Sequence, residues 1–150
     1  MEGSMHKRLR ILFLCTGNSC CSQMAEGWAR HLKGDEIEAW SAGVRRLGLN
    51  KNAVRVMAEM GVDISRQVSK SIAELPVREF DLIVTLSDDA YVTCPAFQGR
   101  TRILHVGFDD PRWLAATELD PRKIVEHFRR VRDEIREFVA SLPEAIYAAA

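Results

Sequence analysis

Cys15-Thr16-Gly17-Asn18-Ser19-Cys20-Cys21-Ser22 is the stretch of this chain whose residue types and order can do chemistry. It follows the apolar run Leu9–Leu14 and precedes a helical pattern, so it reads as a loop between strand and helix. Small residues and Gly17 let the loop curl until successive backbone N–H groups point inward, and such a concavity binds anions. The helix behind it adds the positive end of its dipole. Thr16, Gly17, Asn18, Ser19, Cys20 and Cys21 are the expected cradle for a tetrahedral oxyanion such as phosphate or arsenate. The same field favours a thiolate, which makes Cys15 the candidate nucleophile. The Ser22 hydroxyl is expected to donate to that sulfur and to stabilise it as a leaving thiol. Taken alone, Cys15 would read as a buried strand-end cysteine; the loop around it argues for chemistry.

Three of the four cysteines, Cys15, Cys20 and Cys21, lie within seven residues, and Cys94 stands apart. A cytosolic chain of this size is not expected to carry a disulfide framework. Clustered thiols there suggest redox chemistry, metal binding or coincidence. His6, His31, His105 and His127 lack the spacing of zinc ligands, so no metal site is expected.

The elements that must position the loop follow from periodicity. Leu9–Leu14 predicts a buried strand. Met24, Ala25, Trp28, Ala29 and Leu32 form one helical stripe that Gly34 ends. Ile37–Ser41 predicts a second strand. Asn50 or Asn52 caps a second helix, with Val56, Met57 and Met60 inward and Gly61 as its stop. Phe80–Leu86 and Arg102–Val106 predict the third and fourth strands. Asp120 caps a last helix with Pro121 at its first position. Ile124, Phe128, Val131, Ile135, Phe138 and Leu142 form its seam. Alternating strands and helices predict an α/β fold, a parallel sheet between helical layers, with ligands beyond the carboxyl ends of the strands.

The 150 residues make one ordinary domain, expected over 9–145, with residues 1–8 outside it and Met5 as the natural start. Lys+Arg and Asp+Glu are both 21, so no nucleic-acid or membrane-surface partner is implied. No apolar run is long enough for a signal peptide or a membrane span, and a cytoplasmic monomer is the expectation.

LFLCTGNSC-C-SQMAEGWAR, Ser41-Ala42-Gly43, Phe108-Asp109-Asp110-Pro111 and Arg129–Ile135 resemble the arsenate reductases built on the low-molecular-weight tyrosine phosphatase fold, over about Leu9 to Leu142. The resemblance implies a three-layer α/β/α fold with a four-stranded parallel sheet, Cys15 as nucleophile and Asp110 as general acid. An acid there would protonate a poor leaving oxygen. Asp110-Pro111 is equally a common turn dipeptide.

Two positions depart from the family pattern. The family's loop is C-x5-R-[ST], and Cys21 stands where the arginine would fork onto the anion. Arg45 or Arg46 would have to swing in to replace it. Thioredoxin-linked members carry a cysteine at the position of Ser87, seven residues before Cys94-Pro95, and a hydroxyl cannot exchange with disulfides. The Cys15 adduct would then be resolved by Cys20, Cys21, Cys94 or an external thiol reductant of the thioredoxin or glutaredoxin type. Cys15, Cys20 and Cys21 together offer soft ligands for trivalent arsenic; Cys20 and Cys21 also suit plain packing at a helix start.

Three readings follow. Arsenate reduction by a thiolate without a bound cofactor comes first. A phosphatase-like hydrolase comes second, with Trp113 either gripping the substrate ring or covering core. A catalytically impaired oxyanion, arsenite or thiol-redox module comes third.

Overall fold

The computed structural model describes residues 8–94 and 101–145. Four strands, β1 (Leu9–Cys15), β2 (Ile37–Gly43), β3 (Leu82–Thr85) and β4 (Arg102–His105), form one parallel sheet in the order β2-β1-β3-β4. The helices are α1 (Cys21–Lys33), α2 (Lys51–Glu59), α3 (Asp88–Thr93), α4 (Pro111–Ala116) and α5 (Pro121–Ala140). The arrangement is a three-layer α/β/α sandwich with a four-stranded parallel sheet, as the sequence predicts.

β1 is central and apolar on both faces, because helices or loops cover each. Ile11, Phe13 and Cys15 pack with α1, α2 and α5 in the larger core, around Met24, Trp28, Phe128 and Ile135. Leu12 and Leu14 face the other way, into a smaller core with Leu75, Phe80, Ile83 and Ala90 of α3. The tip of β1, Cys15, therefore sits at the carboxyl edge of the sheet, beside α1.

α5 is locked in place by polar anchors as well as its seam. Arg132 is buried, and its Nη1 donates to Val56 O at 3.0 Å and Glu59 Oε1 at 2.9 Å. Trp28 Nε1 donates to Arg132 O at 3.2 Å. Arg130 reaches Asp109 Oδ2 at 3.0 Å, tying α5 to the loop that precedes α4.

Several local expectations shift. The third strand shortens from Phe80–Leu86 to Leu82–Thr85, although the N–H groups of Asp81 and Leu86 still bond to β1, each at 2.8 Å. Asn50, not Asn52, caps α2, its side chain accepting from the N–H groups of Asn52 and Ala53. Met60 lies past the last turn of α2 and is 43% exposed, and Ala53 joins Val56 and Met57 on the inner face. On α5, Val125 and Val139 are buried while Ile124 and Phe138 are only partly so, a stripe rotated by one residue at each end. α3 and α4 are too short to show periodicity and were not expected.

Of residues 1–8 only Arg8 is described, its Nη1 donating to Gly34 O at 3.3 Å, and Ala148–Ala150 and Pro95 lie outside the described residues. No helix among the described residues is long and apolar enough to cross a membrane.

Candidate active site

The loop between β1 and α1 turns its carbonyls outward. Those of Cys15, Thr16, Gly17 and Ser19 accept from the N–H groups of Val44, Arg45, Leu47 and Asn50, at 2.9–3.1 Å. Asn18 O accepts from Gln23 Nε2 at 3.1 Å. In a trans peptide the next N–H points opposite its carbonyl, so the N–H groups of residues 16–20 are directed to the inside of the curl. One of them is seen there: Asn18 N–H donates to Cys15 Sγ at 3.2 Å.

Asn18 holds the curl by adopting a left-handed backbone, φ 49°, which asparagine tolerates better than most residues. Its side chain is fully buried. Lys70 N–H donates to its Oδ1 at 2.8 Å, which fixes the amide's orientation. Its Nδ2 therefore donates to Ser22 Oγ at 2.8 Å and Ser41 Oγ at 3.0 Å. Ser41 spends its own proton on Glu26 Oε1, 2.5 Å away. Ser22 Oγ, having accepted from Asn18, has its proton left for Cys15 Sγ at 2.8 Å. The chain of donors from Asn18 and Ser22 thus ends on the sulfur, an arrangement that suits an anionic acceptor.

A cavity of about 290 Å³, measured out to its open mouth, lies over this sulfur. Thr16, Gly17, Ser19, Cys20 and Cys21 line it from the loop, Leu86 and Ser87 from the end of β3, and Phe108, Asp110 and Arg112 from the loop and helix opposite. Asn18 does not line it; it works from behind. Ser22 is likewise buried behind Cys15.

Asp110 serves as turn residue and cavity wall at once. Its Oδ1 accepts from Arg112 N–H at 2.9 Å and caps α4, with Pro111 at the first position. Its carboxylate is also forked by the Arg112 side chain, Nη2 to Oδ2 at 2.9 Å and Nε to Oδ1 at 3.3 Å. Arg112 is the functional candidate that sequence reasoning missed; nothing in its local pattern distinguishes it from an exposed helical arginine. Arg45 and Arg46, the expected stand-ins for a loop arginine, do not line the cavity: both are exposed, and Arg46 pairs with Glu74 at 2.9 Å. Trp113 is 77% exposed and neither lines the cavity nor covers core.

All four cysteines are thiols. Cys20 and Cys21 share the cavity with Cys15, and Cys21 Sγ faces Asp109 O at 3.6 Å. Cys94 does not line the cavity; it closes α3 and packs against the smaller core. Ser87 caps α3 by accepting from Ala90 N–H at 3.2 Å, and its hydroxyl meets that of Thr16 at 3.1 Å. No cluster of three or more metal-ligating side chains occurs among the described residues.

Burial pushes the Cys20 thiol up to about 12 and the Cys21 thiol well above its ordinary range. The folded chain therefore keeps a proton on Cys20 that the unfolded chain releases near the ordinary value of 9.0. Its contribution to stability is complete below pH 9.0 and is lost as pH climbs toward about 12. Urea midpoints are expected to fall between pH 8 and pH 10.5, and to fall less in Cys20→Ala; equal slopes would refute the assignment.

The low molecular weight phosphotyrosine protein phosphatase family matches residues 10–149, and the chain belongs to it. Within that family its relatives include arsenate reductases. That of Halalkalibacterium halodurans is 45% identical over 140 residues, 93% of this chain and 98% of the relative. That of Bacillus subtilis strain 168 is 50% identical over 125 residues, 83% and 88% of the two chains. A solved arsenate reductase in its phosphate-binding state superposes with a TM-score of 0.64 at 29% identity, covering 89% of this chain and 95% of that one.

Proposed function

We propose that this chain reduces arsenate to arsenite, with the Cys15 sulfur as nucleophile. The observation that carries the reading is the sulfur itself. It is held by the Asn18 amide and the Ser22 hydroxyl at the base of an amide-lined cavity, with a carboxyl group, Asp110, on the opposite wall. The relatives' activity supports it.

The steps balance as follows. The Cys15 thiolate attacks arsenic in hydrogen arsenate and one arsenic–oxygen bond breaks, the departing hydroxyl group taking a proton from Asp110 and leaving as water. A second thiolate then attacks the Cys15 sulfur. A sulfur–sulfur bond forms, the sulfur–arsenic bond breaks, and its electron pair stays on arsenic, which leaves as arsenite. Two thiols are oxidised for each arsenate reduced, and an external thiol reductant of the thioredoxin or glutaredoxin type reduces the disulfide.

The second thiol comes from outside the loop in this reading. Cys20 and Cys21 are close, but burial keeps them protonated at neutral pH, and the thiolate is the attacking form. Ser87 lines the cavity but cannot exchange. Resolution falls to the external thiol directly, or to Cys94, which is only partly buried though burial raises its thiol as well. Arsenate-dependent NADPH oxidation, coupled through thioredoxin or glutaredoxin and their reductases, tests the function. Cys94→Ser separates the two routes: loss of turnover assigns Cys94, and retention assigns the external thiol.

Ser87 also favours a second reading. The wall opposite the loop, made by Leu86, Ser87, Phe108, Asp110 and Arg112, holds no thiol to exchange, which suits a phosphoenzyme that water hydrolyses. Release of p-nitrophenol from its phosphate ester, with no arsenate-dependent NADPH loss under either coupling system, would replace the first reading with this one.

A further inference from the structure

A dianionic oxyanion seated on Cys15 brings more negative charge than backbone dipoles alone balance well, and the usual remedy is a guanidinium that forks onto two oxygens. Position 21, within the loop, offers only a thiol. Among the described residues lining the cavity, Arg112 is the one cation. It comes from the opposite wall, and the Cys15 and Cys20 sulfurs are near enough to act on its charge.

We infer that Arg112 is the oxyanion clamp of this site, and that it leaves its fork on Asp110 to take up two oxygens of the incoming anion. The inference rests on the oxyanion-site reading above. Three observations carry it. The Asp110 carboxylate already occupies the fork bidentately, at 2.9 and 3.3 Å, and so presents two oxygens much as a tetrahedral anion would. The pair is partly exposed, 28% and 29%, so water already competes for it and exchange for a better acceptor is cheap. The small Cys21 side chain faces the carbonyl of Asp109, just before the Asp110–Arg112 turn, so no long side chain from position 21 competes for that space.

The exchange has a second consequence. While Arg112 holds Asp110, the carboxylate and the anion compete for one guanidinium. Once Arg112 turns to the anion, Asp110 is released to share a proton with an anion oxygen. Arg112 and Asp110 therefore act in opposite senses on anion affinity, which a purely structural ion pair would not do.

The test is protection of Cys15 from iodoacetamide by inorganic phosphate and by arsenate, scored by mass spectrometry of the labelled peptide. Arg112→Ala is expected to raise the half-protecting concentration at least tenfold, with Arg112→Lys in between because it keeps charge without the fork. Asp110→Asn is expected to lower that concentration, since it frees the clamp. If Arg112→Ala and Asp110→Asn weaken protection alike, the pair is structural and the inference falls. If Arg112→Ala protects as well as the parent chain, the clamp lies elsewhere and the inference falls, while the oxyanion site stands. If neither anion protects the parent chain, the oxyanion-site reading itself fails.

Discussion

In a Cys15→Ser variant, arsenate-dependent NADPH oxidation is expected to fall on the order of 10⁴-fold or more, to the level of the coupling system alone. The exchange removes one kind of atom and little else. Serine fits the space, and a hydroxyl at the tip of β1 can still meet Ser22 and the Asn18 amide, which hold the sulfur at 2.8 and 3.2 Å. What is lost is the ability to carry a negative charge at neutral pH and to exchange with another sulfur. Because the cradle is built from backbone amides, phosphate affinity measured by calorimetry is expected to persist in the same variant. Residual turnover within tenfold of the parent chain would move the chemistry to another thiol. Loss of phosphate binding together with turnover would mean that the variant had lost the cradle and not merely the nucleophile.

The second large effect is expected at Gly43, far in sequence from the cysteine loop but packed against its back. A methyl group there would lie 2.4 Å from Arg45 O, 2.6 Å from Asn18 N and 2.7 Å from Gly17 C. All three are backbone atoms, so no rotamer change relieves the overlap; β2 or the loop must move. Gly43→Ala is expected to cost about 3 kcal/mol, which for a domain of this size lowers the melting temperature by roughly 10 °C. It should also impair anion binding in whatever fraction stays folded, because Asn18 N–H is one of the groups displaced. Gly61→Ala is the control. Its φ of +76° strains an alanine, but nothing lies within 4 Å of the added carbon, so about 1 kcal/mol is expected. Equal losses at the two positions would show that backbone conformation, and not the contact with the loop, sets the cost.

The chemistry-bearing loop was legible because its information is local. A cysteine, six small or polar residues and a serine between an apolar run and a helical stripe dictate a curl at a helix start, whatever surrounds it. The strand and helix identities were legible for the same reason: burial of both faces of β1 demands an unbroken apolar run, and α5 demands one face in every turn. What blurred were ends and stripes. The α5 seam moved in the same sense at both ends, from Ile124 to Val125 and from Phe138 to Val139, because which of two adjacent apolar residues is buried depends on how the helix docks against α1 and α2.

Residue order alone determined that one sulfur stands at the start of a small, polar turn before a helix, and, through the family resemblance, that position 21 of that turn lacks the expected arginine. Only the tertiary structure decided which cation lines the cavity and what keeps the turn in shape. Arg112 faces Cys15 across 97 positions of sequence, Ser41 of β2 meets Asn18 and is itself held by Glu26 of α1, and Gly43 leaves room for the loop's backbone. The physical reason is one of range. Turn propensity and periodicity act between neighbours along the chain. The countercharge of a buried site depends on which distant side chains the sheet and its helices bring to one cavity, and no local pattern records that.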